Sequence, residues 1–481
     1  MTPARTRIAP SPTGEYHIGH LRTCLYDYAL ARQTGGQFVL RIEDTDQKRF
    51  VPGSLERIME VIKDYGISWD EGPDIGGPYA PYVQTQRLET YQKYARQLID
   101  QGNAYYCFCS EERLAEMRTL QKASGQLPKY DRHCLSLSKE EIASRLKEGQ
   151  KPVIRLLIPK NETLVFNDII RGTVKFNSND VDDQVIVKSN GIPTYHLAVV
   201  VDDHLMNITH VFRGEEWITS TPKQILLNRY LGWTMPQYAH LTVLMDPAGR
   251  GKMSKRHGSV SARSFLDDGY LPQAVLNFLM LLGWNPGDNR EVFTLKDFVE
   301  AFSLDHLHKK SPAFDRKKLD YFNGLYIRQS SEAELFPHFK KFLPFATDDQ
   351  VRGLIPILKD RISKFSDLTI QLAFLFEDAD YEPSLLLQRG ANPTLVSQIL
   401  TEIKATLSNI DNWQYEPIQS ALTTLIAQQG WNVGQFFMVF RVAICGVTQT
   451  PPLVETLPFL GKDKTLSKIE LALNQLSKLV D

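Results

Sequence analysis

The chain has 481 residues, of which 42% are hydrophobic and 23% are charged, and its formal net charge at pH 7 is −1. This length exceeds what one hydrophobic core organises, so several domains are expected, and the composition is typical of a folded globular protein rather than a disordered one. A net charge near zero also excludes a chain that attracts nucleic acid as a whole, so any such binding has to come from local basic patches.

The N-terminal segment, residues 1–14, is short of apolar residues and carries Arg5 and Arg7, which is typical of neither a signal peptide nor a transit peptide. The densest apolar stretch, residues 274–284, is too short to cross a membrane, because a spanning helix needs about 20 residues. These features predict a cytoplasmic protein that does not insert into a membrane.

The first part of the chain predicts a βαβ unit. A short apolar run ends in a turn rich in Pro and Gly at residues 10–14, and apolar residues then recur at helical spacing until Gly35 and Gly36 stop the helix. Residues 38–42 are a predicted second strand, placed beside the first by a right-handed crossover.

Residues 91–191 differ in character, with three cysteines, charged helical stretches and strand-like runs at residues 152–158 and 184–187. We interpret this region as an insertion. Beyond it, apolar runs at residues 195–201 and 208–212 predict strands that resume the parallel sheet.

A helical pattern at residues 218–231 follows these strands, and after residue 271 the chain is helical with few strand signals. Two helical modules are expected to meet near residues 370–385. The predicted fold class is therefore multidomain α/β plus all-α, with a split Rossmann-type nucleotide-binding fold, an α+β insertion and helical C-terminal domains.

The tetrapeptide His17-Ile18-Gly19-His20 lies between the first predicted strand and the first predicted helix. Unpaired N–H groups and the helix dipole favour a bound phosphate at such a helix start, and the two imidazoles add donors there. Gly19 has no side chain to keep an adenine ring away from the backbone. Two exposed histidines on an ordinary helix are the alternative, which this motif alone does not exclude.

Residues 252–256, Lys-Met-Ser-Lys-Arg, lie in a loop bounded by Gly249 and Gly258, a setting that can close over a polyphosphate. Cations in such a loop would stabilise the negative charge that builds on a leaving pyrophosphate in the transition state. A solvated basic loop is the more common explanation of an isolated charge run, so the second motif also needs support from the first.

Together, and in this order, the two motifs resemble those of class I aminoacyl-tRNA synthetases. Further signatures are similar to those of the glutamyl branch and extend over essentially the whole chain. They are residues 7–14 (RIAPSPTG), 41–46 (RIEDTD), 195–198 (YHLA), 201–204 (VDDH), 213–217 (RGEEW) and 440–446 (FRVAICG). The resemblance implies ATP-dependent ligation of L-glutamate to the 3′ end of tRNA(Glu) through a glutamyl-adenylate intermediate.

For glutamate, the resemblance implies that Arg7 and Arg213 bind carboxylates and that Glu43 binds the ammonium group. This suits the substrate, because an arginine fork binds a carboxylate through two hydrogen bonds. Arg213 is expected at the substrate side chain and should reject glutamine, since a buried guanidinium facing an amide loses a charge-assisted bond. The expected glutamate-binding set is Arg7, Ala9, Ser11, Glu43, Tyr195 and Arg213.

For ATP, the resemblance implies that two histidines and two lysines stabilise the charge on the phosphates. These expected catalytic residues are His17, His20, Lys252 and Lys255. The expected ATP-binding set is His17, Gly19, His20, Glu216, Trp217, Leu244, Lys252, Ser254, Lys255 and Arg256. Mg²⁺ is expected on ATP without a cage made only of protein ligands.

The insertion contains a cluster of three cysteines, Cys107, Cys109 and Cys134. It resembles the zinc site that some bacterial members carry as Cys-x-Cys with a distant Cys-x-His. Here Ser136 stands at the fourth position, whereas a structural zinc normally has four Cys or His ligands, and only Tyr130 or His133 could replace the missing one. We therefore predict reduced thiols and no bound zinc.

Basic stretches in the helical half are either solvated faces or contacts with tRNA, and the resemblance implies the second. They lie at residues 309–310, 316–318, 340–341 and 359–364. The implied partners are tRNA(Glu), L-glutamate and ATP, with the enzyme acting as a monomer. The sequence leaves open whether tRNA(Gln) is also charged and which residues read the anticodon.

The resemblance also implies a division into domains. The predicted domains are a catalytic domain at residues 1–90 and 192–250, an inserted acceptor-binding domain at 91–191, a stem-contact domain with the lysine loop at 251–328, and two helical anticodon-binding modules at 329–378 and 379–481.

Other protein classes remain as alternatives. A glutaminyl-tRNA synthetase is the nearest, whereas a truncated glutamyl-queuosine paralogue lacks a long helical C-terminal half. A small-molecule nucleotidylyltransferase would not need the roughly 200 residues after the lysine loop, which is about one further domain. A catalytically inactive tRNA-binding protein predicts broken motifs, and the histidines and lysines concerned are all present.

Overall fold

The structure is a computed structural model, which describes residues 2–248, 251–253, 260–378 and 380–477. The chain forms two compact units, one of Met1–Phe265 with Val275–Arg316 and one of Leu266–Ala274 with Lys317–Asp481. The finer domain boundaries expected from the sequence stay predictions.

The first unit opens with strand β1 (Arg5–Ile8), helix α1 (Ile18–Gln33) and strand β2 (Gln37–Leu40). The two strands pair in parallel, with Arg5 opposite Gln37, so the predicted βαβ unit is confirmed. The helix ends as predicted, because Gly35 has a φ of +67° and the N–H of Gly36 donates to the carbonyl of Ala31 at 2.8 Å.

The inserted region contains a small antiparallel sheet. The helices and strands that follow β2 in the chain, up to the end of this region, are α2 (Ser54–Asp64), α3 (Leu88–Asp100), β3 (Ala104–Cys107), α4 (Glu111–Ala123), α5 (Lys139–Lys147), β4 (Val153–Leu156), β5 (Thr163–Asp168), β6 (Gly172–Asn177) and β7 (Val185–Val187). Strands β3, β4 and β7 form one sheet in that order, which confirms the strands predicted within residues 152–158 and 184–187.

The second half of the split fold follows, and here one prediction was wrong. Residues 195–201 were expected to be a strand, but they lie in helix α6 (Tyr195–Leu205). All of Leu197 to Val201 are buried, and a short apolar run that is buried on every side does not distinguish a helix from a strand. The predicted strand at 208–212 is β8 (His210–Gly214), and the predicted helix at 218–231 includes α7 (Thr221–Leu231).

Strand β9 (Gln237–Leu241) pairs in parallel with β8, and the β5–β6 hairpin adds to its other side, giving the order β6-β5-β9-β8. The hairpin lies within the predicted insertion in sequence, yet it joins this sheet where Asp168 pairs with Tyr238. The two halves meet where the N–H of Thr209 donates to the carbonyl of Arg5 at 2.9 Å.

The rest of the chain is helical, as predicted. Its helices are α8 (Ala262–Asp267), α9 (Pro272–Met280), α10 (Leu295–Ala301), α11 (Arg316–Gln329), α12 (Glu332–Phe342), α13 (Asp348–Leu358), α14 (Asp367–Gln371), α15 (Ala373–Phe376), α16 (Pro393–Ser408), α17 (Tyr415–Gln429), α18 (Val433–Cys445), α19 (Leu453–Leu460) and α20 (Lys462–Ser477). Among the described residues, no helix is long and apolar enough to cross a membrane.

The second unit has a continuous hydrophobic core. Fully buried side chains such as Leu354, Ile403 and Phe440 belong to one cluster that includes residues from both predicted helical modules. The two modules expected from the sequence therefore share a core.

Candidate active site

The start of α1 holds the histidines of the first motif. His17 is the N-cap residue, and its Nδ1 accepts a hydrogen bond from the N–H of Gly19 at 2.9 Å. The ring of His20 lies 6.0 Å from that of His17 between centroids and is exposed, whereas Ile18 is fully buried and anchors the turn. The local fold thus presents two imidazoles beside a helix N-terminus, where an anion is favoured.

The loop of the second motif is tied to this helix start. On one side, the N–H of Met253 donates to the carbonyl of Leu244, in the segment after β9, at 2.8 Å. On the other side, the N–H of Ile18 donates to the carbonyl of Val260 at 2.8 Å. Both ends of the lysine loop therefore lie beside the site, while the predicted Ser254, Lys255 and Arg256 lie outside the described residues.

The charge of Lys252 acts on both imidazoles. Partial burial and the charges of His20 and Lys252 lower the pKa of His17 from 6.5 to about 4. At His20, loss of solvation lowers the pKa, the charge of Lys252 lowers it further, and Glu216 opposes both effects. His17 is thus neutral at pH 7, and a neutral imidazole acts toward an anion as a hydrogen-bond donor rather than as a cation.

The buried side chain of Arg213 lies at the centre of a second group of polar residues. Its Nε donates to Nε2 of His240 at 2.9 Å, its Nη1 to the hydroxyl of Tyr195 at 3.3 Å, and its Nη2 to Oγ1 of Thr221 at 2.8 Å. In the part of the chain that the structure describes, Arg213 has no ion-pair partner. A buried guanidinium held only by neutral groups can bind an incoming carboxylate, because its charge is not yet compensated.

Arg7 and Glu43 lie in a buried charge network. Nε of Arg7 contacts Oδ1 of Asp203 at 3.0 Å, and Arg41 links the same aspartate at 2.7 Å to Oε1 of Glu43 at 3.0 Å. Burial raises the pKa of Glu43, while Arg41 and Arg7 oppose that shift. The charge of Arg7 is therefore already balanced by Asp203, whereas that of Arg213 is not balanced by an acid among the described residues.

The remaining residues that the sequence predicted for the site lie next to the histidines, the lysine loop or the two arginines. The rings of Tyr195 and Trp217 lie 4.4 Å apart between centroids, and Glu216, the neighbour of Trp217, acts electrostatically on His20. Leu244 is buried beside the base of the lysine loop. Ala9 is half-buried and Ser11 is exposed, in the turn whose Pro10 carbonyl accepts from the N–H of Glu43 at 3.0 Å.

Four residues that shape the site were not predicted from the sequence: Arg41, Asp168, Asp203 and His240. Arg41 and Asp203 belong to quoted signatures, and a charged residue in an apolar surrounding was the available signal for a buried pair. His240 carried no such signal, since a single histidine in a strand is unremarkable.

The three cysteines of the insertion come together. Their sulfur atoms lie within 4.8 Å of one another, and the hydroxyl of Tyr130 lies 3.3 Å from Sγ of Cys109. The three thiols would supply three of the four Cys or His ligands that a structural zinc normally has, and the hydroxyl of Tyr130 is not a ligand of that kind. Reduced thiols with no bound zinc therefore stay the prediction for this cluster.

Comparison with known proteins identifies the class of the chain. Residues 3–321 match the family described as tRNA synthetases class I (E and Q), catalytic domain, and residues 334–473 match an anticodon binding domain. The chain belongs to the class I tRNA synthetases of this family. Membership agrees with the predicted fold class of a nucleotide-binding catalytic fold followed by a helical C-terminal half.

The similar proteins point to one member of the family. A glutamate–tRNA ligase of Borreliella burgdorferi is 42% identical over 480 residues, which cover 97% of this chain and 98% of the relative. One of Clostridioides difficile is 40% identical, covering 98% and 99%. A crystal structure of the glutamate tRNA ligase of Elizabethkingia meningosepticum with its amino acid has 35% identity and a TM-score of 0.84, covering 98% of this chain and all of that one.

Proposed function

We propose that this chain is an ATP-dependent glutamate–tRNA ligase, which joins L-glutamate to the 3′ end of tRNA(Glu) through a glutamyl-adenylate. The observation that carries the proposal is the buried, uncompensated guanidinium of Arg213 beside Tyr195, because it suits a substrate with a side-chain carboxylate. Full-length similarity to glutamate–tRNA ligases of other bacteria supports the same substrate.

In the first step, an oxygen of the α-carboxylate of glutamate attacks the α-phosphorus of ATP. The bond between that phosphorus and the oxygen leading to the β-phosphate breaks, and pyrophosphate leaves. Arg7, Glu43 and Arg213 hold the amino acid, so positioning supplies much of the rate acceleration. His17, His20 and Lys252 stabilise the charge on the phosphates, and we assign the same role to Lys255.

In the second step, a hydroxyl of the terminal ribose of tRNA attacks the carbonyl carbon of the adenylate, and AMP leaves. Mg²⁺ accompanies ATP and neutralises part of the phosphate charge. The match of residues 334–473 to an anticodon binding domain supports an interaction of the second unit with the tRNA anticodon. A cytoplasmic location and a monomeric state remain predictions from the sequence, which leaves open whether tRNA(Gln) is also charged.

Pyrophosphate exchange tests this function. The purified chain is given labelled pyrophosphate and ATP with either glutamate or glutamine, each with and without tRNA(Glu), and the label that enters ATP is measured. We expect exchange with glutamate in the presence of tRNA. Exchange that glutamine alone supports would instead favour a glutaminyl enzyme, and no exchange with either amino acid would favour an inactive tRNA-binding protein.

A further inference from the structure

A buried acid and histidine lie directly behind Arg213. Oδ2 of Asp168, at the end of β5, lies 2.6 Å from Nδ1 of His240 in β9, and both side chains have no exposed surface. The other nitrogen of the imidazole, Nε2, accepts the hydrogen bond from Nε of Arg213 at 2.9 Å. The three side chains therefore form a continuous chain of hydrogen bonds that ends at the proposed pocket.

The hydrogen bonds determine the tautomer of His240. Nε of Arg213 is always a donor, so Nε2 of the imidazole has to offer a lone pair. Nδ1 then carries the hydrogen and donates it to the carboxylate of Asp168. Consistently, burial is the largest effect that lowers the pKa of His240, the charge of Arg213 adds to it, and Asp168 opposes it.

Asp168 is itself held in one orientation. Its Oδ1 accepts from the backbone N–H groups of Ile170 and Arg171, each at 2.9 Å, and its Oδ2 accepts from the N–H of His240 at 3.1 Å. Although burial raises the pKa of this carboxyl group, its hydrogen bonds with His240 and the backbone lower the pKa overall, so it is ionised at neutral pH. The acceptor facing Nδ1 is therefore fixed by the backbone.

The neutral imidazole separates the acid from the guanidinium. If a carboxylate contacted Arg213 directly, as Asp203 contacts Arg7, the charge of the arginine would be compensated before substrate arrived. With His240 in between, Nε has a partner while the positive charge remains available. The hydrogen bond at Nε also fixes the orientation of the guanidinium. Because the group is planar, fixing Nε restricts the positions of the two terminal nitrogens, Nη1 and Nη2.

We propose that Asp168 and His240 are positioning residues that orient Arg213 and thereby set the preference for a side-chain carboxylate over a carboxamide. This inference rests on the proposed function, since it concerns the same amino-acid pocket. It also gives the β5–β6 hairpin, which lies within the inserted region in sequence, a role in amino-acid selection.

Asp168→Asn tests the role of the carboxylate most selectively, because the variant keeps the size and shape of the side chain and replaces one oxygen by a nitrogen donor. Two backbone N–H groups, of Ile170 and Arg171, donate to Oδ1, whereas one, of His240, donates to Oδ2. The amide nitrogen therefore takes the place of Oδ2, where it faces Nδ1 as a donor at the cost of one backbone hydrogen bond rather than two. His240 then has to accept at Nδ1 and carry its hydrogen at Nε2, where it meets the N–H of Arg213. Two donors would face each other, and the guanidinium would lose its orientation.

The experiment measures tRNA-dependent pyrophosphate exchange with glutamate and with glutamine for the wild-type chain, Asp168→Asn, His240→Ala and His240→Gln. We expect the first two variants to raise KM for glutamate about tenfold and to lower the preference for glutamate over glutamine by a similar factor, because a hydrogen bond to a charged group is lost. KM for ATP should change less than about twofold, which is within the effect of a distant substitution.

His240→Gln should retain part of the preference, since its side-chain oxygen can still accept from Nε of Arg213. His210→Ala, in the neighbouring strand β8, is the matched control and should leave both KM values unchanged. Circular dichroism and a thermal melt of each variant verify folding.

Two results would overturn the inference: an unchanged glutamate preference in folded Asp168→Asn and His240→Ala, or equal rises in KM for glutamate and ATP, which would indicate a general structural role. Failure of the proposed function is distinguishable, because the wild-type chain would then show no glutamate-dependent exchange.

Discussion

At the scale of single residues, the two arginines that we propose bind glutamate differ in how their charge is balanced. Arg7 has an ion pair with Asp203, whereas Arg213 is held by His240, Tyr195 and Thr221, which are neutral. Removing an uncompensated buried cation leaves no orphaned acid behind in the protein. The loss should therefore appear in substrate binding rather than in folding.

Replacing Arg213 by Ala tests this difference. We expect kcat/KM for glutamate to fall by about 100-fold or more, because a buried charge-assisted contact is worth roughly 3 kcal/mol, while the thermal midpoint changes little. Steady-state exchange kinetics and a thermal melt measure the two effects. Arg229→Ala, which removes a surface pair with Glu162, is the control; equal losses in both variants would contradict the assignment.

The pKa of His17 is a second prediction at this scale. Protonation of Nδ1 would break the bond from the N–H of Gly19 and place a cation at a helix N-terminus, which agrees with a pKa of about 4. Because the folded-state pKa lies below the unfolded value of 6.5, the unfolded chain binds more protons between these pH values. His17 therefore contributes stability at neutral pH that is lost as the pH falls below about 6.5.

NMR titration of the histidine ring protons measures this pKa, with His17→Asn used to assign the signal. A midpoint near 6.5 for the assigned ring would show that His17 is not shielded by the surrounding residues as described.

Motifs predicted the proposed glutamate-binding residues, but not the residues behind them. Arg7, Glu43 and Arg213 were singled out because they lie in local signatures. Their partners are distant in the chain, since Arg7 and Asp203 are 196 residues apart and Asp168 and His240 are 72 apart. Such contacts depend on strand pairing, which a single sequence does not specify at this range.

At the scale of helices and strands, the sequence predicted an element's boundary correctly where the residues at that boundary are themselves constrained by the backbone conformation. The end of α1 is an example, because Gly35 and Gly36 each have a distinct reason to be glycine. Gly35 has a positive φ with open space around it, and a Cβ on Gly36 would lie 1.8 Å from the carbonyl oxygen of Ala4.

Alanine substitutions at these two positions separate the two effects. Gly35→Ala should cost about 1 kcal/mol from the left-handed conformation alone, whereas Gly36→Ala should cost about 3 kcal/mol, because backbone atoms have to move apart. Scanning calorimetry of the two full-length variants gives the comparison. Equal melting temperatures, or a lower one for Gly35→Ala, would contradict the close approach of Gly36, just before β2, to Ala4, just before β1.

Helix α6 shows where local signals fail. Its residues 197–201 are apolar and all buried, so no polar face marks the helical period. Neighbouring elements pack against it on several sides, and this tertiary burial was invisible in the sequence. The prediction of a strand used the apolar run alone.

The cysteine cluster allows a metal prediction for the inserted element. Because Cys107, Cys109 and Cys134 offer only three thiols and Tyr130 is no usual zinc ligand, we predict that the desalted chain contains well below one zinc ion per chain even after purification with zinc present. Elemental analysis measures the zinc content of the wild-type chain, of Cys134→Ser and of the control Cys24→Ser. About one zinc ion per chain that is lost in Cys134→Ser but kept in Cys24→Ser would contradict the prediction of reduced thiols.

At the scale of the whole molecule, the order of α/β and helical regions was predictable because the period of the apolar pattern changes along the chain. The sharing of one core by both helical modules was not, since a single sequence does not show which apolar faces meet. The same limit applies to the lysine loop, whose attachment beside α1 joins segments more than two hundred residues apart in sequence.

We propose that ATP binds with its phosphates between the start of α1 and the lysine loop. A crystal structure with ATP and a non-reactive analogue of glutamate would show where the phosphates lie. We predict phosphate oxygens within hydrogen-bonding distance of the imidazoles of His17 and His20 and of the amine of Lys252. Phosphates bound elsewhere on the chain, with these three side chains facing solvent, would contradict the proposed ATP site.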